Sequence, residues 1–331
     1  MKRIAIIGGG SWGTALAVIA ARAGHEVRLW SRNAEVVRSI NEQHVNASYL
    51  KSVQIPSSVA ATSELNTALD GAELVLFVAP SHAARELFTA ISPHLSDSTI
   101  IVSLSKGIEI ETGKRISEIA KEVIGTSNRF VCLSGPSFAK EVVSGHPTAI
   151  VAASKDAAAA RAVQNDLSSE NLRIYTNTDV IGTEIGGSVK NVMAIAAGMA
   201  AGLGFGSNSV AALITRGLAE ITRFARREGA QVETLMGLAG LGDLVLTCTG
   251  TLSRNRFVGE ELGKGRPLDE ITADLNEVAE GIKTARAVKQ LADRANLEMP
   301  IVNEVNAVLY GGKSAREAVA ELMNRPLREE G

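Results

Sequence analysis

Two lysines, an aspartate and an arginine–asparagine pair stand in surroundings that give each of them chemical work. Lys190 and Asn191 lie near the start of the stretch EIGGSVKNVMAIAAGMAAGLG, Glu184 to Gly204, which after Gly187 is built almost wholly of small and apolar residues. That is the composition of a helix packed on several sides, and an ammonium buried there is costly unless something compensates it. Burial also draws a lysine pKa toward neutrality, where an amino group both donates and accepts a proton. In GLAGLGDLVLTCTG, Asp243 falls between a glycine-rich loop and the apolar run Leu244–Leu246. A carboxylate there either caps a helix or meets an amino group, and Lys190 is a candidate. In TLSRNRFVGEELG, Ser253 suits the N-cap of a helix with Arg254, Asn255 and Arg256 in its first turn. Basic residues oppose the dipole at that end unless an anion binds, and a guanidinium fork beside free N–H groups suits phosphate. Arg254 and Asn255 are assigned to that task, while Arg256 reads equally well as part of a basic surface turn.

A second cluster opens the chain. IAIIGGGSWG sets Gly8, Gly10 and Gly13 in the G-x-G-x-x-G spacing, directly after an apolar strand and at the start of a helical pattern. In that context the glycines let backbone approach a pyrophosphate, and the helix N-terminus offers it free donors. The next strand ends RLWSRN, so Ser31, Arg32 and Asn33 stand where a carboxylate would bind the ribose 2′-hydroxyl of NAD. Donors and a positive charge there favour NADP(H), with NAD(H) as the possible alternative. Lys106, in LSKGIE, and Gly135 and Ser137, in LSGPSFAKE, follow later strands. They belong at the carboxyl edge of the sheet, where ligands of open α/β folds lie.

The elements that must position these residues divide in two. Strand patterns near residues 3–8, 26–30, 74–79, 99–104, 130–134 and 148–153 alternate with helices near 13–23, 83–91 and 113–123, and LRIYTN is a possible edge strand. From Asp179 onward apolar residues recur at helical spacing. The expected fold is an N-terminal Rossmann-type parallel sheet domain, residues 1–178, followed by an α-helical substrate and catalytic domain, residues 179–331. After Ser207, Val210, Leu213, Ile214, Gly217, Leu218, Ile221, Phe224 and Ala225 form one helix face, with Arg216, Glu220, Arg223 and Arg227 on the other. Ser314 and Glu317 spell a capping box for a last helix.

At 331 residues, 45% hydrophobic, 21% charged and with a net charge of −2, the chain has no general attraction to nucleic acid or membrane. Its apolar runs are too short to span a bilayer, so no membrane insertion is expected. Cys132 and Cys248 form no CxxC or Cys/His cluster, and the five histidines lack ligand spacing, so no metal site is expected and a cytoplasmic location fits best. His82 is the one histidine placed for chemistry, and a surface role is the commoner fate. Apolar faces in the helical half suggest a homodimer.

Together, GGGSWGTALA, SLSKGIE, LSGPSFAKEV, GGSVKNVMAIAAG, LITRGLAE, GLAGLGDLVLTCT and SRNRFVGEELG resemble the bacterial NAD(P)-dependent sn-glycerol-3-phosphate dehydrogenases, in order from Ile4 to about Arg325. The resemblance implies reversible reduction of dihydroxyacetone phosphate to sn-glycerol 3-phosphate for phospholipid synthesis. Carried over onto matching positions, it implies that Ser11, Trp12, Arg32, Asn33, Lys106, Ala139, Arg254, Val278 and Glu280 contact the cofactor. Lys106, Gly135, Ser137, Lys190, Asn191, Asp243, Ser253, Arg254 and Asn255 would hold substrate, with Lys190 as proton donor and acceptor, assisted by Lys106 and Asp243. The rival enzyme reading is a related two-domain reductase of a β-hydroxy or keto acid. A rival from another class is a non-catalytic NADP(H)-binding sensor.

Overall fold

Strand sequences such as LVLF carry apolar side chains at every position, the pattern of a parallel strand covered on both faces. In the computed structural model, which describes residues 1–125, 129–275, 277–327 and 329, such strands form the middle of one eight-stranded sheet. Its members are β1 (Arg3–Ile7), β2 (Glu26–Trp30), β3 (Val59–Thr62), β4 (Leu74–Phe77), β5 (Ile100–Ser103), β6 (Arg129–Ser134), β7 (Thr148–Ala153) and β8 (Leu172–Asn177), in the order β3-β2-β1-β4-β5-β6-β7-β8. The first six follow the doubly wound order, whose switch point lies between β1 and β4 at their carboxyl ends. Helices α1 (Ser11–Arg22), α2 (Ala34–Gln43), α3 (Leu65–Leu69), α4 (Ala84–Ile91), α5 (Ile116–Val123), α6 (Ala139–Val143) and α7 (Ala157–Leu167) connect the strands. Apolar clusters form on the sheet, one including Ile4, Ile6, Leu16 and Leu29, another Ile7, Phe77, Phe88 and Ile101.

The sheet departs from the expected parallel one in two ways. β7 runs antiparallel to β6, and β8 then pairs parallel with β7. The connection from β6 holds only the five-residue α6, about 7.5 Å of helix, too short to carry the chain back along a strand of about 20 Å. The chain therefore returns directly. β3, VAAT, is an edge strand that sequence periodicity does not reveal, being four residues long and half alanine. LRIYTN does form the opposite edge.

Among the described residues after Asn177 every regular element is helical: α8 (Val180–Gly202), α9 (Ser207–Arg227), α10 (Val232–Met236), a π-helical turn at Leu238–Gly242, α11 (Asp243–Thr249), α12 (Arg254–Gly263), α13 (Leu268–Ala273), α14 (Glu280–Arg294), α15 (Pro300–Tyr310) and α16 (Ala315–Met323). α8 is the axis of this half and is buried from Gly182 to Ala200. Val189, Val192, Met193 and Ile195 share a core with Phe224, Leu244, Val288 and Val302, each such side chain contributing about 1.5–3 kcal/mol. Asp179 starts α8 by accepting the N–H of Gly182 at 2.8 Å and also accepts that of Gln231 at 2.9 Å. α8 and α12 pack backbone against backbone: a Cβ on Gly198 would strike the carbonyl of Arg256, and one on Gly259 that of Ile195.

One residue of the expected polar face of α9 lies elsewhere. Glu220 is buried and accepts the N–H groups of Ile301 (2.8 Å) and Val302 (3.3 Å), so it caps α15 from another helix. Burial pushes its carboxyl up to about 7 against those two hydrogen bonds. The Ser314–Glu317 capping box forms as its spacing predicts.

Candidate functional site

Lys190 lies on the buried length of α8 and Asp243 opens α11, so two helices that pack together carry the pair. The Lys190 ammonium donates to Asp243 Oδ1 and, at 2.7 Å, to Thr247 Oγ1, one helical turn beyond Asp243. Lys106, from the loop after β5, reaches the other oxygen, Asp243 Oδ2, at 2.6 Å. Its stem passes Gly187, where a Cβ would stand 3.7 Å from Lys106 Cγ and Cδ and 2.7 Å from the unpartnered buried Ser134 Oγ. Side-chain exposures are 7% for Lys190, 1% for Asp243 and 22% for Lys106. One carboxylate thus serves two ammoniums and leaves a positive excess. Burial lowers the Lys190 pKa to about 7, with Asp243 opposing that shift and Lys106 adding to it. Such a group exchanges its proton near neutral pH and polarises an oxygen placed against it.

The glycine motif forms the expected cradle. Gly8, at φ +130°, would put a Cβ 3.0 Å from the Val78 carbonyl, so only glycine fits. Gly13 lies in the first turn of α1 and packs on Gly8. Gly10 is the N-cap of α1 and has no side chain with which to cap it. Ser11 meets a carboxylate from the helical half: Glu277 Oε1 accepts its N–H (3.1 Å) and shares its Oγ–H (2.7 Å) with the Tyr49 carbonyl (3.0 Å). Trp12 Nε1 donates to the Ser137 carbonyl (3.2 Å), and Ser137 Oγ to that of Gly135 (2.9 Å). Trp12, Lys106, Ser134 and Ser137 line one small cleft. Ala139 opens α6, buried in the cluster on which Trp12 packs.

At α12, Ser253 is the N-cap and accepts the N–H of Arg256 (3.2 Å). Arg254 points outward to Glu277 Oε2 (2.6 Å), and its contact with the Val278 carbonyl is long (3.5 Å). Asn255 turns inward instead. Its Nδ2 donates to Asn191 Oδ1 (3.0 Å) and its Oδ1 accepts the N–H of Gly281 (2.9 Å), tying α12 to α8 and α14. Glu280, the first residue of α14, accepts the N–H (2.9 Å) and Oγ–H (2.5 Å) of Ser81 beyond β4. Val278 is exposed beside it.

The ribose end is looser. Arg32 is exposed and, among the described residues, has no ion-pair partner. Asn33 is engaged in the fold, because its Oδ1 accepts the Glu35 N–H (2.9 Å) as N-cap of α2. His82 is exposed, its pKa lowered by partial desolvation and then by the charge of Lys283. Its neighbour Ser81 makes the link to the helical half.

Three features have no clear mark in the sequence. Thr247 is one turn from Asp243, a spacing that means something only once the helix is known. Glu277 stands in NEVAEG, where a second glutamate, Glu280, draws the eye. Glu184 is buried on α8, six residues before Lys190, and accepts from Arg115 Nη1 (2.9 Å), the Ser117 N–H (2.7 Å) and Ser117 Oγ (2.5 Å) at the start of α5. Among the described residues no group of three or more His, Cys, Asp or Glu could hold a metal ion, and no helix is long and apolar enough to cross a membrane.

Residues 3–160 match the family model for the N-terminus of NAD-dependent glycerol-3-phosphate dehydrogenase, and residues 179–320 match that for its C-terminus. The chain is 54% identical over 330 residues to the glycerol-3-phosphate dehydrogenase [NAD(P)+] of Koribacter versatilis, covering 98% of each chain. It is 51% identical over 330 residues to the enzyme of that name in Myxococcus xanthus, covering 99% of this chain and 98% of that one. The crystal structure of glycerol-3-phosphate dehydrogenase from Coxiella burnetii superposes with a TM-score of 0.95 at 40% identity, over 98% of this chain and 99% of that one. With both halves matched in order and relatives this similar over nearly full length, the chain belongs to the NAD-dependent glycerol-3-phosphate dehydrogenase family.

Proposed function

We propose that this chain catalyses the reversible, NAD(P)H-dependent reduction of dihydroxyacetone phosphate to sn-glycerol 3-phosphate, feeding glycerophospholipid synthesis. The observation that carries the reading is the buried Lys190 ammonium, with a pKa of about 7, sharing Asp243 with Lys106. Lys190 adjoins Asn191, which holds Asn255 beside the outward-facing Arg254.

The residues fit a dinucleotide: Gly8 leaves no room for a Cβ, and α1 presents an uncapped first turn that draws a carboxylate. When bound, the cofactor supplies the hydride. The remaining work is that of the chain. Lys190 Nζ, as an ammonium, donates its proton to the oxygen that gains charge as the ketone is reduced. In the reverse direction its amine form accepts the hydroxyl proton. Asp243 keeps enough charge on Lys190 for the first task, and Lys106 keeps Asp243 from fixing that charge too firmly. Arg254 and the first turn of α12 bind the substrate phosphate and hold the reacting carbon in register, Ser253 and Asn255 keeping that turn in place.

Arg32 beyond β2 supports NADP(H) as the preferred cofactor, with NAD(H) also accepted. The domain boundary falls near residue 179: most of the dinucleotide site lies before it and most of the substrate site after it, with Lys106 and Ser137 reaching the substrate from the first half and Val278 and Glu280 the cofactor from the second. Two buried free thiols, Cys132 and Cys248, support a cytoplasmic location, and exposed Phe205, Met236 and Val245 on the helical half support a homodimer.

The test is loss of reduced-nicotinamide absorbance when dihydroxyacetone phosphate is added to purified protein with NADPH, then with NADH. Faster turnover of a keto acid lacking phosphate would move the chain to the rival reductases, and cofactor binding without turnover to the sensor. Arg254→Ala is expected to raise KM for dihydroxyacetone phosphate roughly a hundredfold and KM for cofactor far less. Equal effects would remove Arg254 from the phosphate site.

A further inference from the structure

Glu277 makes contacts that the reaction does not call for. Oε1 accepts both donors of Ser11, in the first turn of α1, and comes 3.6 Å from where a Cβ on Gly10 would lie. Oε2 is 2.6 Å from Nη1 of Arg254, in the first turn of α12. These two helix ends belong to different halves of the chain, and under the proposed function one receives the cofactor pyrophosphate and the other the substrate phosphate. Glu277 therefore lends a carboxylate oxygen to each of two phosphate-binding positions at once. The pair is not deeply buried, with exposures of 45% for Arg254 and 21% for Glu277, so neither partner is locked in place by packing.

We infer that Glu277 is an internal anion that holds both phosphate positions in the ligand-free enzyme and is displaced from both when the dinucleotide binds. The argument rests on the proposed function and on the arithmetic of donors. Ser11 has one N–H, given to Glu277, and one hydroxyl proton, which Glu277 (2.7 Å) shares with the Tyr49 carbonyl (3.0 Å). A pyrophosphate taking the N–H brings like charge against the carboxylate and leaves the hydroxyl to Tyr49. Once Oε1 has no donor, the loop carrying Glu277 loses its hold on α1, and Arg254 exchanges the carboxylate for the doubly charged phosphate of the substrate. The two sites are then coupled, and the coupling is reciprocal: each ligand removes a competitor of the other.

Glu277→Gln keeps the shape and an acceptor for Ser11 but removes the charge, and Glu277→Ala removes the acceptor as well. NADPH binding is read from its fluorescence, and sn-glycerol 3-phosphate binding by calorimetry with and without saturating NADPH, a pair that cannot react with each other. In the wild-type protein, sn-glycerol 3-phosphate is expected to bind roughly tenfold more tightly when NADPH is present. In both variants NADPH is expected to bind roughly tenfold more tightly than to wild type, and the dependence of sn-glycerol 3-phosphate on NADPH to disappear. Unchanged or weaker NADPH binding in both folded variants, or a wild-type protein whose two ligands bind independently, overturns the inference and leaves the function standing. A wild-type protein that binds no NADPH overturns both.

Discussion

Glu184 and Lys190 lie six residues apart on α8, both buried, both charged and both reaching across to another element, yet they are treated in opposite ways. Glu184 meets the Arg115 guanidinium and both donors of Ser117, three charged or strongly polar partners for one carboxylate. Burial still raises its pKa, with Arg115 and Ser117 pulling the other way. Lys190 has half a carboxylate and one hydroxyl, and its competitor for that carboxylate is another ammonium. A buried charge that must stay put is given an arginine, which never releases its proton, whereas one that must trade a proton is kept short of compensation. Under the proposed function, the same helix supplies an anchor at one end and a working group further along.

The largest effect separates the two outright. Lys190→Ala should lower kcat by roughly a thousandfold with NADPH affinity retained, measured by steady-state kinetics and fluorescence titration. Near-normal turnover would end its role as proton carrier. In wild type, kcat/KM for reduction needs the ammonium and should fall as pH rises through about 7, while that for oxidation needs the amine and should fall as pH drops through about 7. Next comes Asp243→Asn, which leaves two ammoniums facing an amide. It should cost about 3–5 kcal/mol of stability and move the limb for reduction to lower pH, because the pull that raises the Lys190 pKa is gone. A limb that stays in place would mean that Asp243 is structural only. The smallest is Glu184→Gln, expected to cost roughly 1–3 kcal/mol in denaturant unfolding while leaving both pH limbs where they were. A shifted limb would show that anchor and working group are not separate.

How much of this was legible depended on distance along the chain. The glycine motif, the strand ends and Lys190 could be read because each is local: a spacing, a run, a charge in apolar surroundings. LRIYTN and the Ser314–Glu317 box were legible for the same reason. Asp243 was suspected as a partner of Lys190, but its sharing with Lys106, 137 residues away, is a property of the folded chain. Glu220 was misread because helical periodicity sees only one helix, and the N–H groups that Glu220 caps belong to α15. The reversal of β7 was hidden by its own apolar pattern, which is the same in either direction; only the shortness of α6 betrays it. That Asn33 also caps α2 was not legible, because a capping asparagine shows itself only once the next helix is placed.

The glycine contacts between α8 and α12 have a consequence for what the cleft will accept. Gly198 and Gly259 let the main chains of the two helices touch, so the separation between the α8 backbone that carries Lys190 and the first turn of α12 is set by backbone contact. Gly281 adds α14 to the same joint, a Cβ there being 2.6 Å from the Asn191 carbonyl oxygen. Under the proposed function, the interior thus holds a gauge between the helix that hands over a proton and the helix end that holds a phosphate. A phosphorylated ketone whose carbonyl lies one carbon nearer to or farther from its phosphate would span that gauge badly, and selection by length would be built into the main chain itself.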